Sequence, residues 1–246
     1  MSEPSTADPQ HFVANILPLY HGPQVKIRIK PSNAEFTISQ DLLCAQSPVF
    51  SAMFKGEFLE TQQQAVDLED MKDVVSVQSL EALFQWLYRG AVNFDIENPR
   101  EHISAAMELV RLADKYEILA LEDEMAQYIK HIIITAKAHP SAFLSWRIAD
   151  INTHWLTTDH IDSATYLPLG HPVRRTLAAA SVRGYLQSDK HKFAQETQDY
   201  PSFGADVLQE VRLTLNGIRL TGGNNFGDPI SGERLPLNFN VSESEF

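Results

Sequence analysis

The sequence predicts an α+β fold in the first part of the chain and an all-α extension after it. Strand patterns lie before residue 70, and in the clearest of them Val25, Ile27 and Ile29 alternate with Lys26 and Arg28. Beyond residue 136 this alternation ends, and apolar residues recur at helical spacing between prolines. A small sheet covered by helices, followed by helices alone, is the architecture that these two patterns favour.

The first strand, VKIRI at 25–29, has one apolar and one charged face, which is typical of a half-buried strand. Pro31-Ser32-Asn33 predicts a turn, and 35–38 predicts the returning strand. Residues 65–68 alternate again and predict a third strand.

Short helices follow the returning strand. Ser39 predicts an N-cap, and Ser47-Pro48 predicts the start of a second helix, because the Ser hydroxyl accepts from free backbone N–H groups and Pro has none to leave unpaired. Gly90 predicts the end of a longer helix.

Helical patterns continue to the end of the extension, at about 141–158, 172–187 and 203–219. Polar and Gly-rich composition predicts disorder at both ends of the sequence. The sequence therefore predicts a disordered N-terminus (1–9), a first domain (10–136), a helical extension (137–220) and a disordered tail (221–246).

Composition excludes several function classes. The formal net charge of −12 disfavours nucleic-acid binding, because acidic surfaces repel phosphates. No apolar run approaches the about 20 residues of a membrane span. The N-terminus lacks the pattern of a secretory signal, and the single cysteine, Cys44, cannot form an intramolecular disulfide. We therefore expect a cytoplasmic or nuclear protein without a membrane or nucleic-acid partner.

The sequence shows no catalytic, cofactor-binding or metal-binding constellation, so we expect no enzyme activity and no cofactor. Asp150 and His154 are four residues apart, but no further ligands follow at useful spacing. Cys44 lies in an apolar helical run and is interpreted as a buried packing residue. Plain helix-surface charges are expected at Arg174, Arg175 and Arg183. An enzyme without a recognisable motif in the extension is the rival hypothesis.

Four segments in this order resemble the BTB/POZ domain: LLCAQSPVFSAMF, GEFLE, LFQWLYRG and LVRLADKYEILALEDEMAQYI. The resemblance covers about residues 24–134. It implies a helix cluster capped by a small sheet, whose work is to bind other proteins. The extension, with TYLPLGHPVRRTLAAASVRGYL and FGADVLQEVRLTL, resembles the helical extension of fungal BTB proteins.

The resemblance also shows a departure. Many BTB domains carry Asp in the first strand and His followed by a basic residue before the first core helix, and in some members these residues line a charged pocket for transcriptional corepressors. This chain has Gln24 and Ser39-Gln40 at the matching positions. A corepressor role by that route is therefore not expected.

Some BTB domains are adaptors for cullin-type ubiquitin ligases and bind the cullin through a hydrophobic residue, any residue and an acidic residue. Phe58-Leu59-Glu60 matches this pattern, so the resemblance implies that Phe58 and Glu60 bind a cullin. The alternative is that Phe58 packs in the core of its own domain and that Glu60 is solvated.

BTB domains also pair through the segment before the first strand, as homodimers or with other BTB proteins. Phe12, Ile16 and Leu19 form an apolar stripe that suits a symmetric partner. The stripe could equally fold back on its own domain. If it pairs and no cullin binds, the chain is an oligomerising scaffold rather than an adaptor.

Overall fold

The computed structural model describes residues 17–57, 59–136, 149–188, 190–221 and 224–237. It contains two compact units, the first formed by 1–95 with 108–121 and the second by 96–107 with 122–246. The sequence places a boundary at residue 136, whereas this division places the end of the first unit at residue 121.

The first unit contains a three-stranded sheet formed by β1 (Gln24–Lys30), β2 (Ala34–Ser39) and β3 (Ala65–Glu69). β1 is central, antiparallel to β2 and parallel to β3. The apolar face of β1 is fully buried at Val25, Ile27 and Ile29. On the other face Lys26 and Arg28 bind Glu35, at 2.8 and 3.0 Å. The predicted strands and their two unlike faces are confirmed.

Helices make up much of the rest of the first unit. They are α1 (Gln40–Gln46), α2 (Pro48–Lys55), α3 (Leu59–Gln63), α4 (Val77–Arg89) and the second half of α5 (Pro99–Lys115). The predicted caps are confirmed, because Ser39 accepts from the Leu42 N–H, Ser47 accepts from the Phe50 N–H, and Gly90 ends α4 with φ of 68°. In the core the rings of Phe50 and Tyr116 stack at 4.3 Å between centroids.

The second unit is mainly helical. Its elements are the first half of α5, α6 (Ala120–Thr135), a 3-10 turn (Ile151–Thr153), α7 (Thr158–Thr165), α8 (Pro172–Gln187), α9 (Glu196–Asp199) and α10 (Pro201–Thr221), followed by the strands β4 (Asn225–Gly227) and β5 (Arg234–Pro236). α8 and α10 match the predicted helices and pack against each other. Of the predicted helix at 141–158, residues 141–148 lie outside the described residues, and the described remainder contains the 3-10 turn.

Two of the three arginines expected on the surface are buried. Arg174 is 4% exposed, binds the Asp206 carboxylate at 2.7 Å and donates to the Leu167 carbonyl at 3.0 Å. Arg183 is 6% exposed and lies 4.0 Å from Asp228. The expectation is therefore wrong for both, because acidic residues distant in sequence pair with them. Arg175 is largely exposed, as expected.

The predicted disordered tail is wrong for residues 224–237. β4 and β5 form an antiparallel hairpin in which Phe226, Ile230 and Leu235 are buried. The buried Asp228 carboxylate accepts from the Asn152 side-chain amide at 2.8 Å and from the Ile230 N–H at 2.8 Å. The contact with Asn152 is tertiary, so local composition gives no sign of it. The disorder predicted for 1–9 and for the last nine residues of the chain lies outside the described residues.

Within the part of the chain that the structure describes, none of the helices combines the length and hydropathy needed to cross a membrane.

Candidate protein-binding surface

The segment joining α2 to α3 is fixed to the first unit by one threonine. The Thr61 hydroxyl lies 3.0 Å from the Met53 carbonyl and 2.8 Å from the Gly56 carbonyl, both at the C-terminal end of α2. The Gly56 N–H donates to the Ala52 carbonyl and closes the last turn of α2. α3 is only five residues long, so these side-chain contacts replace the stability that its length cannot supply.

This anchoring presents an apolar side chain and an acidic one at the start of α3. The Leu59 side chain is 67% exposed, and Glu60 beside it is half-buried. Phe58, the other residue predicted to bind a cullin, lies outside the described residues. Leu59 is the residue that the sequence analysis missed, because the matched pattern accepts any side chain at its position. The sign of this residue in the sequence is the apolar character of the segment FLE, residues 58–60.

The candidates for a dimer interface are only partly described. Leu19 is half-buried in a 3-10 turn, Leu17–Tyr20, which packs against α1 of its own unit. The Leu19 carbonyl accepts a hydrogen bond from the Ser39 hydroxyl. Phe12 and Ile16 lie outside the described residues. At Leu19, the last residue of the apolar stripe, these contacts agree with a stripe that folds back on its own domain.

A Ser–His contact in the second unit resembles a catalytic pair, but its protonation excludes that role. His160 Nε2 lies 2.8 Å from the Ser104 hydroxyl, and His160 Nδ1 accepts from the Thr157 N–H. Nδ1 therefore carries no proton in the neutral ring, and Nε2–H must donate to Ser104. Ser104 in turn donates to the Arg100 carbonyl. A ring that donates to the hydroxyl cannot take its proton, so the pair is a helix-capping arrangement.

The other side chains considered as reactive groups or metal ligands, Cys44, Asp150 and His154, make packing contacts or hydrogen bonds within the protein. Cys44 is half-buried rather than fully buried, its Sγ lies 3.6 Å from the Phe50 carbonyl, and burial raises the pKa of the thiol. Asp150 accepts from the Lys192 backbone N–H at 3.0 Å, and His154 packs edge-on against Trp155. No group of three or more metal-ligating side chains occurs among the described residues.

The sheet with its short helices corresponds to a known domain. The family model of the BTB/POZ domain matches residues 23–133, which contain β1–β3 and α1–α6 except the last two residues of α6. Residues 23–133 are a BTB/POZ domain. This domain is a protein-interaction fold, so the exposed segment around α3 is a surface of a domain whose role is to bind proteins.

Curated proteins with BTB domains are similar to this chain. The "BTB and MATH domain-containing protein 42" of Caenorhabditis elegans is 29% identical over 171 residues, 68% of this chain and 37% of that protein. The "Kelch repeat and BTB domain-containing protein 4" of Pongo abelii is 21% identical over 191 residues, 77% of this chain and 32% of that protein. The matched region thus spans about a third of the length of these relatives. The resemblance of the extension to fungal proteins stays a prediction.

Two of the three positions that depart from many BTB domains, Ser39 and Gln40, are buried and make internal side-chain contacts. Gln24 pairs with Ser39 across the sheet, and the Ser39 N–H donates to the Tyr88 hydroxyl at 3.0 Å. Gln40 is buried, and its side-chain amide donates to the Phe54 carbonyl at 3.1 Å. Ser39 and Gln40 therefore stabilise the BTB/POZ domain itself and carry no charge.

Proposed function

We propose that this chain is an adaptor that binds a cullin-type ubiquitin-ligase scaffold through its BTB/POZ domain and a substrate protein elsewhere. The contact on the adaptor side is residues 58–60, at the start of α3. The observation that carries the proposal is the 67% exposure of Leu59 on a helix whose position is fixed by Thr61. An apolar side chain held in water by its own fold is available for burial by a partner.

The chemistry of the segment suits an interface anchor. Burying the exposed part of Leu59 would contribute about 1–2 kcal/mol, and the neighbouring Phe58 adds an aromatic side chain of the kind enriched in interface cores. Glu60 contributes charge, which fixes the register of a complex and speeds its formation more than it raises affinity. The segment thus offers both the energy and the specificity that a compact docking site requires.

Binding of the full-length chain to purified N-terminal regions of cullins tests the proposal by calorimetry. We expect Phe58→Ala and Leu59→Ala each to weaken binding about tenfold or more, and Glu60→Lys to slow association.

Two matched variants serve as controls. Leu119 is 70% exposed in the same unit, and Glu81 is exposed on α4. Leu119→Ala and Glu81→Lys should leave the affinity unchanged. Full affinity in Phe58→Ala, Leu59→Ala and Glu60→Lys would show that the segment is not the cullin site. Absence of binding to every cullin, with self-association retained, would favour the oligomerising scaffold.

A further inference from the structure

The second unit contains a polar cavity. It is open to solvent, has a volume of about 230 Å³, and is bordered by α6, α8, α10 and the turn of the β4–β5 hairpin. Its lining is mainly polar, with some apolar side chains, and the members that matter here are Asp123, Lys130, Pro172, Arg175, Glu210 and Ile230.

The cavity contains a buried carboxylate with little hydrogen bonding. The side chain of Glu210 is only 10% exposed, and its single partner among the described residues is the Arg175 Nε, at 3.4 Å. Arg175 is itself 61% exposed, so its guanidinium is mostly in water. A carboxylate has room for several donors, and a buried one is stabilised only when they are supplied. Glu210 therefore retains acceptor capacity at the edge of the cavity.

Lys130, the second cation that lines the cavity, is bonded to the backbone of the hairpin turn. Lys130 Nζ donates to the Pro229 carbonyl at 3.3 Å and so holds the hairpin turn against α6. Asp123 is exposed at the rim and adds a second negative charge. Of the charged side chains that line the cavity, only Glu210 is buried, and a cationic ligand can supply the N–H donors that its carboxylate lacks.

We propose that this cavity binds an arginine side chain presented by a protein partner. Its guanidinium donates to Glu210 in place of the exposed Arg175, and its aliphatic stem lies against Pro172 and Ile230. A planar guanidinium can donate two parallel N–H bonds to one carboxylate, which the single 3.4 Å contact of Arg175 does not achieve. The net charge of −12 attracts a basic partner at long range. The site is independent of the cullin contact.

The test is titration of the full-length, isotope-labelled chain with Nα-acetyl-arginine methylamide, followed by NMR chemical shifts. The neutral citrulline analogue, which has nearly the same shape, is the ligand control. We expect the arginine compound to shift resonances of residues around Glu210 and to bind about tenfold more tightly than the citrulline analogue. Equal affinity for the two compounds would overturn the proposal.

Three substitutions separate this site from general attraction to an acidic protein. Glu210→Gln should weaken binding about tenfold, whereas Glu101→Gln, which changes the net charge equally at an exposed position on α5, should not. Arg175→Ala should strengthen binding about threefold, because it removes the internal competitor for Glu210. Weaker binding of the arginine compound by Arg175→Ala would show that Arg175 does not compete for Glu210 and would contradict the proposal. If Glu210→Gln does not fold, as judged by circular dichroism, Arg175→Ala still tests the proposal. Stronger binding of the arginine compound supports it, and weaker binding contradicts it.

Discussion

At the scale of single residues, Ser47 shows how one hydroxyl joins distant parts of the first unit. Its Oγ accepts from the Phe50 N–H at 3.0 Å and donates to the Tyr116 carbonyl at 2.6 Å, and the residue is 1% exposed. The same side chain therefore begins α2 and ties it to the end of α5. The capping role of Ser47 can be predicted from the sequence, whereas its hydrogen bond to Tyr116 depends on the tertiary fold.

Ser47→Ala should lower the free energy of unfolding by about 1–3 kcal/mol, because it removes the cap and leaves a buried N–H and a buried carbonyl without their partner. Urea denaturation followed by tryptophan fluorescence measures this loss. Ser51→Ala on the same helix is the control, since Ser51 is half-buried and alanine favours the helix. Equal stability of the two variants would contradict the role given to Ser47.

His160 makes the stability of the second unit depend on pH. Burial lowers the pKa of its imidazole to about 4, so the native ring stays neutral at pH values where an unfolded histidine, with a pKa of about 6.5, becomes protonated. Between these values the unfolded state binds more protons, and the free energy of unfolding falls as the pH falls. The neutral ring therefore stabilises the fold fully above pH 6.5.

Lowering the pH from 7 to 4.5 should cost the wild-type chain about 2–3 kcal/mol through His160 alone. The measurement is urea denaturation at both pH values, and His160→Gln should show a smaller pH dependence than wild type by this amount. His21→Gln, at an exposed histidine, should retain the wild-type dependence. An unchanged pH dependence in His160→Gln would show that the ring is not buried in its neutral form.

At the scale of elements, the β4–β5 hairpin depends on the helices it packs against. Its strands have three residues each, and a two-stranded sheet of this size is not stable alone in water. Phe226, fully buried, and Asp228, bound to Asn152, supply the docking contacts. The hairpin is thus the element whose order is most sensitive to a single substitution.

Phe226→Ala should detach the hairpin, because losing a fully buried aromatic side chain costs about 3–5 kcal/mol. Limited proteolysis with mass spectrometry should then show cleavage within 224–237 in the variant, while the wild type resists. Arg234→Ala, at an exposed position of β5, should resist like the wild type. Equal resistance of Phe226→Ala would mean that other contacts suffice to hold the hairpin.

These elements also show how far the sequence alone predicts the fold. Ser47-Pro48 and Gly90 predicted helix ends correctly, because capping is decided by a few neighbouring residues. The hairpin and the burial of Arg183 were missed, since Asn152 and Arg183 meet Asp228 of the hairpin only through tertiary contacts. For the candidate binding surface, the Phe58-Leu59-Glu60 pattern predicted which segment to consider, whereas the exposure of Leu59 is known only from the structure.

At the scale of the whole molecule, we propose that the oligomeric state depends on the segment before β1. We expect the full chain to have twice its single-chain mass of 27.7 kDa in light scattering, with Phe12 and Ile16 at the contact. Ile16→Asp should give a monomer, because a buried, unpaired carboxylate opposes the contact. A chain beginning at Gly22 should also be a monomer. Monomeric mass for the full chain would end the dimer hypothesis.

The function proposed for this chain requires that the BTB/POZ domain binds a cullin through the start of α3. Hydrogen–deuterium exchange of the full chain, with and without the N-terminal region of a cullin, tests it most directly. We expect slower exchange in peptides covering residues 52–63, and loss of this protection in Glu60→Lys. Protection confined to other parts of the chain, or no protection at saturating cullin, would contradict it.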